Sequence, residues 1–320
     1  MKKWIIGVDI GGTKIAVSLG SRSGKILGRK VFSSLDGKKV EKSVDQIAES
    51  IFGLLVEHRL EKQQIAGLGV GVPGVIHPKT QILEKSPNLP SWEGVALGRV
   101  LKQKIKLPIV VENDANAAAM GEQFFGAGKG INNFVYITIS TGIGSGIVAN
   151  GALIRGGSGS AGEIGHMTIV RDGLPCSCGK RGCLEAYSSG TAIAAYVKRA
   201  IRNGVKSSVF KNVKLTDITG KMVTEAAEQN DRLAIKARTV AADYFGIALA
   251  NLMNLLNPQK IILGGGVMER SSHFWKPMMA VARRETWPMA FQSCRIVRSQ
   301  LGGRVGDLGA MALVLENQRP

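Results

Sequence analysis

The first part of the chain alternates short apolar segments with turns that contain glycine. Residues 4–8 form an apolar run, residues 9–14 form a polar turn with two glycines, and residues 15–19 and 25–32 have strand character. Because glycine lets the backbone turn tightly between strands, this order predicts a β-meander.

Helical and strand patterns alternate after the meander. Apolar residues recur every three or four positions within 40–59, which predicts a helix with one buried face, and 65–72 predicts a glycine-rich strand. A strand predicted at 109–112 runs into an alanine-rich helix at 115–125. This alternation is typical of a mostly parallel sheet covered by helices.

The layout of the first hairpin recurs further along the chain. Residues 135–140 predict a strand, 141–146 a glycine-rich turn, and 147–149 a second strand. Two such units indicate a duplicated α/β architecture. We expect two domains that face each other across a cleft, each offering a glycine turn to the same ligand.

The last third of the chain is predicted to be largely helical. The longest helix is predicted at 234–256, a buried strand at 260–263 ends in three glycines at 264–266, and a helix at 305–315 closes the chain. With 320 residues, of which 44% are hydrophobic and 21% charged, the chain is long enough for two packed globular domains.

The N-terminal segment resembles the start of a signal peptide, but Asp9 interrupts its apolar run. A secretory signal needs a longer run of roughly 7 to 15 apolar residues. No segment approaches the roughly 18 uninterrupted apolar residues of a membrane span. We therefore expect a cytoplasmic protein that does not contact a membrane.

The formal net charge of +18 is unusually high for a protein of this length. A strongly basic surface attracts polyanions such as nucleic acid or polyphosphate. The lysines and arginines are spread along the chain, however, and no nucleic-acid-binding motif accompanies any cluster. We therefore interpret the charge as solvated surface and expect no nucleic-acid partner.

Three of the four cysteines, Cys176, Cys178 and Cys183, lie within eight residues, and His166 precedes them by ten. Three thiolates and one imidazole are the ligands of a closed tetrahedral zinc site. Such a site has no open position for substrate, so the pattern predicts structural zinc. Cys294 stands alone and is interpreted as an ordinary buried thiol.

Two common nucleotide motifs can be excluded. No G-x-x-x-x-G-K-[ST] segment occurs, so the chain is not a P-loop protein. Residues 69–74 match G-x-G-x-x-G after a strand, but Pro73 and Pro78 prevent the helix that this motif requires.

The glycine turns have a more specific resemblance. The segment Asp9-Ile10-Gly11-Gly12-Thr13-Lys14 resembles the first phosphate loop of the ROK family of sugar kinases and repressors, within the actin-like ATPase superfamily. Residues 138–146 resemble the second phosphate loop, although Ser140 and Ser145 stand where the family more often has glycine. Gly264-Gly265-Gly266 is similar to the loop that lies against adenosine.

This resemblance implies an α/β fold of the two-domain actin-like ATPase (ribonuclease H-like) type, with a central cleft and a structural zinc site. We expect a smaller N-terminal domain of residues 1–118 plus 305–320, which carries the first phosphate loop. Residues 119–304 would form the larger domain, with the second phosphate loop, the zinc site and the adenosine loop.

The resemblance also implies ATP and Mg²⁺ as cofactors. Asp9 would act on Mg²⁺, through water. The residues around the phosphates would be Gly11, Gly12, Thr13, Lys14, Thr141 and Gly142, and Gly264, Gly265 and Gly266 would lie against the nucleoside.

Asn113 and Asp114 stand between a predicted strand and a predicted helix. Open α/β sheets bind ligands at such strand ends, but an Asp there can also simply cap the helix. The pair is similar to the sugar-binding and catalytic pair of the ROK family. The resemblance therefore implies that Asp114 is the general base for the 6-hydroxyl and that Asn113 binds a neighbouring hydroxyl.

The segment Glu163-Ile164-Gly165-His166 resembles the E-x-G-H sugar motif of the same family. If one nitrogen of His166 binds zinc, the other can donate to a sugar hydroxyl, while Glu163 and Glu185 accept from other hydroxyls. Asn88 is a further sugar contact by the same resemblance.

These expectations describe an ATP-dependent kinase acting on the 6-hydroxyl of a free hexose, with glucose as the first choice. N-acetylglucosamine, N-acetylmannosamine, mannose and fructose are the alternatives. A sugar-responsive repressor is disfavoured because only eight residues precede Asp9. Polyphosphate is expected to be a minor donor at most, and the family resemblance implies a homodimer or homotetramer.

Overall fold

The computed structural model of the chain describes residues 2–34, 40–270 and 273–319. It divides into two units. The first consists of Met1–Asn132, Gly146–Gly162 and Ser299–Pro320, and the second of Asn133–Ser145 and Glu163–Arg298.

The described residues form twelve strands and eleven α-helices. The strands are β1 Trp4–Ile10, β2 Lys14–Ser21, β3 Ile26–Ser33, β4 Ile65–Val72, β5 Val75–Ile76, β6 Leu83–Lys85, β7 Ile109–Asn113, β8 Phe134–Ile139, β9 Ile143–Ala149, β10 Ala152–Leu153, β11 Lys260–Gly264 and β12 Arg295–Arg298. The α-helices are α1 Val40–Glu57, α2 Leu97–Ile105, α3 Asp114–Phe125, α4 Glu185–Ser188, α5 Gly190–Arg202, α6 Gly220–Glu228, α7 Arg232–Leu256, α8 Gly266–Glu269, α9 Trp275–Glu285, α10 Pro288–Ser293 and α11 Val305–Glu316.

The main sheet of the first unit has the strand order β3-β2-β1-β4-β7. β1, β2 and β3 pair antiparallel, which agrees with the predicted meander, whereas β1, β4 and β7 pair parallel. The prediction of a mostly parallel sheet was therefore wrong for this unit, because the meander supplies as many antiparallel pairs as the strand–helix units supply parallel ones.

One face of this sheet is covered by α1. Its apolar residues Val44, Ile47, Ile51 and Leu55 are buried in one cluster with side chains of β1, β2 and β4. This is the face that the spacing of three and four residues predicts. All eight residues of β4 are buried, as expected for a central strand covered on both sides.

The other face is covered by α11, which approaches the strands closely. A Cβ atom on Gly69 of β4 would lie 1.8 Å from the carbonyl oxygen of Ala310, and one on Gly7 of β1 would lie 2.8 Å from that of Asp307. Glycine at these two strand positions therefore sets the depth at which α11 packs.

Glycine also brings α3 and α11 together. A Cβ on Gly121 would lie 2.9 Å from the backbone nitrogen of Gly309, and a Cβ on Gly309 would lie 2.6 Å from the carbonyl oxygen of Ala117. The two helices therefore pack backbone to backbone.

The two compact units differ from the predicted domains in their boundaries. The predicted division falls after residue 118 and before residue 305, whereas α3 lies wholly within the first unit, which also includes Gly146–Gly162 and begins its last segment at Ser299. A boundary inside α3 would separate residues that pack against α11 as one helix.

In the second unit, β11 lies between β8 and β12 and is parallel to both. The strand–turn–strand layout predicted after residue 134 is present, but β9 begins at Ile143, four residues earlier than predicted. The hydrogen bond from the Ser140 nitrogen to the Gly142 oxygen, at 2.9 Å, closes the turn within three residues.

The G-x-G-x-x-G match at 69–74 does not form a nucleotide loop. Gly69 and Gly71 lie inside β4, and Gly74 turns the chain with φ +123° into β5, so no helix follows. The structure confirms that this match is false.

Helix α7 is long enough to cross a membrane, and its most apolar 18-residue stretch has a mean hydropathy of 1.3. Half of that stretch is buried inside the protein. The core helix of a globular protein has the same length and composition, so these two properties are weak evidence for a membrane span.

Replacing Gly69 by Ala tests whether glycine sets the packing depth of α11. The added Cβ would overlap the Ala310 carbonyl, and we expect the resulting strain to lower the free energy of unfolding by about 2 kcal/mol. For a protein of this size, the midpoint of thermal unfolding should then fall by roughly 4–8 °C relative to wild type. Gly157→Ala is the matched control, because a Cβ at Gly157 meets no atom within 4 Å. Equal midpoints for the two variants would contradict this account of the packing.

Candidate active site and metal cluster

The junction between β7 and α3 positions the predicted catalytic pair. The side-chain oxygen of Asn113 accepts hydrogen bonds from the backbone nitrogens of Ala115 and Asn116 at 2.9 and 3.0 Å, and its amide donates to the Gly74 oxygen at 3.0 Å. Asn113 is therefore the N-cap of α3. Asp114 is the first residue of the helix, and its side chain is exposed.

Asp114 belongs to a cluster of carboxylates. The pKa of Asp9, at the end of β1, is raised to about 6 by burial first and then by the negative charges of Asp114 and Asp307. Lys14 and Arg29 act in the opposite direction. A carboxylate in such surroundings favours a proton or a cation as its partner.

The start of α11 completes this cluster. A Cβ on Gly306 would lie 2.2 Å from the Asp9 carboxylate, so only glycine allows Asp9 to lie against the first turn of the helix. The next residue, Asp307, is buried and accepts hydrogen bonds from Ser18 Oγ at 2.7 Å and Arg29 Nε at 2.9 Å. Gly306 and Asp307 were not predicted as site residues, although the glycines near the start of an apolar helix are a signal for them in the sequence.

The first predicted phosphate turn is closed by backbone contacts. The nitrogen of Gly11 donates to the Lys14 oxygen at 2.8 Å, and Ser34 donates through Oγ to the Gly12 oxygen at 2.8 Å and through its nitrogen to the Thr13 oxygen at 3.2 Å. Three carbonyl oxygens of the turn therefore accept hydrogen bonds from the protein's own donors. Gly12 and Thr13 are themselves exposed.

Asn88, predicted to contact the sugar, lies beside this turn. A Cβ on Gly12 would be 3.4 Å from the Asn88 Cβ. Asn88 is exposed. The structure therefore brings Asn88 next to the first predicted phosphate turn.

The second predicted phosphate turn lies in the second unit and is held by Glu185. One carboxylate oxygen of Glu185 accepts from the Ile143 nitrogen at 2.8 Å, and a Cβ on Gly142 would lie 2.5 Å from the same oxygen. The Thr141 oxygen accepts from Thr191 Oγ1 at 2.9 Å. Glu185, predicted as a sugar contact, thus also supports the turn.

The predicted adenosine loop adjoins that turn. Gly264 ends β11 opposite Thr138 of β8, and Gly265 has φ +88°, a conformation that favours glycine. A Cβ on Gly265 would lie 2.4 Å from the Ile139 oxygen, whereas a Cβ on Gly266 meets no atom within 4 Å. Gly265 is therefore needed for close packing, and Gly266 faces open space.

The predicted zinc ligands form one cluster. The ligand atoms of His166, Cys176, Cys178 and Cys183 all lie within 4.8 Å of one another. His166 Nδ1 is 3.7 Å from Cys176 Sγ, and Cys178 Sγ is 3.7 Å from Cys183 Sγ. Sulfurs about 2.3 Å from a tetrahedral zinc ion are roughly 3.8 Å apart, so the donor set fits zinc.

Glycines hold the cysteine hairpin in shape. Gly179 and Gly182 have φ +88° and +79°, and a Cβ on Gly182 would lie 1.8 Å from the Val170 oxygen. The nitrogen of Cys176 donates to the Lys180 oxygen at 2.8 Å. Tight turns of this kind allow cysteines that are near one another in the sequence to direct their sulfur atoms toward one point.

The acidic residues around His166 lie near the cluster. Burial raises the pKa of Glu163, and the charge of Glu185 raises it further, while His166 lowers it. These three predicted sugar residues are therefore close enough to interact. Because Nδ1 of His166 faces Cys176, its other ring nitrogen is left for a different partner.

The chain matches known proteins along its length. The profile of the ROK family matches residues 5–317. A glucokinase of Halalkalibacterium halodurans is 35% identical over 318 residues, which cover 99% of this chain and 96% of that one. A xylose repressor of Caldicellulosiruptor bescii is 31% identical over 317 residues, which cover 98% of this chain and 78% of the repressor.

A solved structure has the same fold. The ROK family glucokinase from Streptomyces griseus, crystallised in complex with glucose and AMPPNP, is 36% identical and has a TM-score of 0.82, covering 97% of this chain and 98% of that one. The α/β fold of the actin-like ATPase superfamily is therefore confirmed. On these matches, the chain belongs to the ROK family.

Proposed function

We propose that this protein is an ATP-dependent glucokinase that transfers the γ-phosphoryl group of ATP to the 6-hydroxyl of glucose. The observation that carries the proposal is the exposed Asp114 carboxylate at the first turn of α3, close enough to Asp9 to raise its pKa. The similarity to glucokinases over nearly the whole chain supports glucose as the hexose.

In this proposal Asp114 accepts the proton of the 6-hydroxyl while the hydroxyl oxygen attacks the γ-phosphorus of ATP and ADP leaves. Phosphoryl transfer has a loose transition state with charge on the phosphate oxygens, so alignment and electrostatics supply most of the catalysis. The base needs no strongly shifted pKa, because the hydroxyl becomes acidic only during the attack. Asn113 fixes the start of α3 and so fixes where that carboxylate lies.

The nucleotide would lie against the two glycine turns and the adenosine loop. Asp9 would hold Mg²⁺ through water, and the ion would offset phosphate charge when bound. The raised pKa of Asp9 supports this role, because burial and then the charges of Asp114 and Asp307 disfavour the ionised carboxylate, which a bound cation would stabilise.

The cysteine cluster would hold structural zinc. Burial raises the pKa of the Cys183 thiol to about 12, so a cation is needed to keep it as a thiolate at neutral pH. Zinc bound through Nδ1 would fix the His166 ring, whose other nitrogen would donate to a hydroxyl of glucose. Glu163 and Glu185 would accept from neighbouring hydroxyls, and Asn88 would complete the contacts.

A regulatory function is the second candidate, because xylose repressors match this chain at 31% identity. The exposed Asp114 beside Asp9 favours catalysis, since a sugar sensor needs no base. Four further expectations stay predictions: polyphosphate is at most a minor donor, the protein is a homodimer or homotetramer, it is cytoplasmic, and it has no nucleic-acid partner.

Kinase assays on a panel of free sugars test the proposed activity. With Mg²⁺ and ATP, we expect ADP release to be fastest per mole of enzyme with glucose, ahead of N-acetylglucosamine, N-acetylmannosamine, mannose and fructose. Asp114→Asn should lower kcat by about 10²–10⁴-fold, because the amide cannot accept the proton.

Asp45→Asn is the matched control, since Asp45 lies on α1 in a half-exposed ion pair with Lys104 and should leave kcat unchanged. Near-normal turnover in Asp114→Asn would refute the base. A chain that binds glucose without releasing ADP would favour the regulatory function.

Zinc content tests the metal cluster. We expect about one zinc ion per chain by elemental analysis, because four ligands converge. Cys178→Ser should lose zinc and raise the KM for glucose more than the KM for ATP, since the sugar contacts depend on His166. Cys294→Ser is the control and should keep both the metal and the KM values. Full zinc occupancy in Cys178→Ser would contradict the ligand assignment.

A further inference from the structure

Arg155 bridges two carboxylates in the first unit. Its Nε lies 2.6 Å from Oε2 of Glu112, at the end of β7, and its Nη2 lies 2.9 Å from Oε2 of Glu316, at the end of α11. The Glu112 side chain is 8% exposed and the Arg155 side chain 32%. Paired charges at this depth are screened less than those at the surface.

The second oxygen of Glu112 holds the junction between β7 and α3. Oε1 accepts from the Asn113 nitrogen at 2.9 Å and from Asn116 Nδ2 at 3.1 Å. Glu112 therefore contacts one residue on each side of Asp114, and Arg155 occupies its remaining oxygen. All of these contacts lie within one unit.

The ion pair with Arg155 stabilises the nearly buried Glu112 carboxylate. A nearly buried carboxylate without a partner is costly, and charge-assisted hydrogen bonds are stronger and more directional than neutral ones. Without Arg155, the Glu112 carboxylate would turn toward solvent, and its contacts to Asn113 and Asn116 would weaken. The first turn of α3 would then lose the support that flanks Asp114.

We propose that Arg155 is a positioning residue for phosphoryl transfer: through Glu112 it fixes the β7–α3 junction so that the Asp114 carboxylate meets the reacting hydroxyl. This inference rests on the proposed role of Asp114 as the base. Arg155 touches neither substrate nor nucleotide in this account. Its contribution is to geometry, which matters because small misplacements of a catalytic group are costly.

A double-mutant cycle between positions 155 and 114 tests the proposal. We expect Arg155→Met to lower kcat by about 10- to 100-fold, with the KM for ATP within about twofold of wild type, because only the base is misplaced. In the Asp114→Asn background the same change should lower kcat by no more than about twofold, since no base remains to be positioned. Arg155→Lys, which keeps the charge, should recover part of the lost kcat.

Glu316→Gln is the control, because it removes only the outer ion pair of Arg155. We expect its kcat to stay within about threefold of wild type. All variants are assayed below their midpoints of thermal unfolding. If Arg155→Met does not fold, Glu112→Gln tests the same contact, since its amide oxygen can still accept from Asn113 and Asn116.

Several outcomes separate this inference from the proposed function. Equal losses from Arg155→Met in both backgrounds, or equal losses from Arg155→Met and Glu316→Gln, would show that Arg155 only stabilises the fold. Normal turnover in Arg155→Met with an inactive Asp114→Asn would overturn the positioning role and leave the kinase function intact. Normal turnover in Asp114→Asn would overturn the assigned base itself.

Discussion

The burial of the Asp9 carboxylate at the end of β1, beside two further carboxylates, is the constraint on which the proposed site depends. Asp9, Asp114 and Asp307 come from a strand and from two helices, and burial together with their charges raises the pKa of Asp9 to about 6. Because this pKa is higher than in the unfolded chain, ionised Asp9 costs folding stability, and the cost appears as pH rises from about 4 to 6. The folded protein therefore contains a carboxylate, that of Asp9, whose ionised form a bound cation would stabilise.

Elements with a strong local pattern were predictable from the sequence. The meander, α1, β4 and α7 lie where periodicity and glycine turns place them, within a few residues. The mixed sheet and the unit boundaries were not predictable in this way. They depend on contacts between distant segments, such as the backbone packing of Gly121 against Gly309.

The contrast between local patterns and contacts of distant segments also applies to the candidate site. The cysteine cluster and the Asn113-Asp114 pair are local in sequence, so residue type and spacing were enough to predict them. Asp307 and its partner Arg29 are 278 positions apart, and Arg155 acts through Glu112, so no local pattern reveals either contact. Such supporting residues can be identified only from the three-dimensional structure, because the fold brings them next to partners that are distant in sequence.

The most direct test of the central claim is the titration of Asp9, followed by NMR of ¹³C-labelled aspartate carboxyl groups and assigned by comparison with Asp9→Asn. We predict a pKa of about 6 for Asp9 in the free protein and a marked decrease on addition of Mg²⁺ and ATP. An Asp9 that already titrates near the ordinary aspartate pKa of about 4 in the free protein, and whose pKa does not change on addition of Mg²⁺ and ATP, would contradict this prediction.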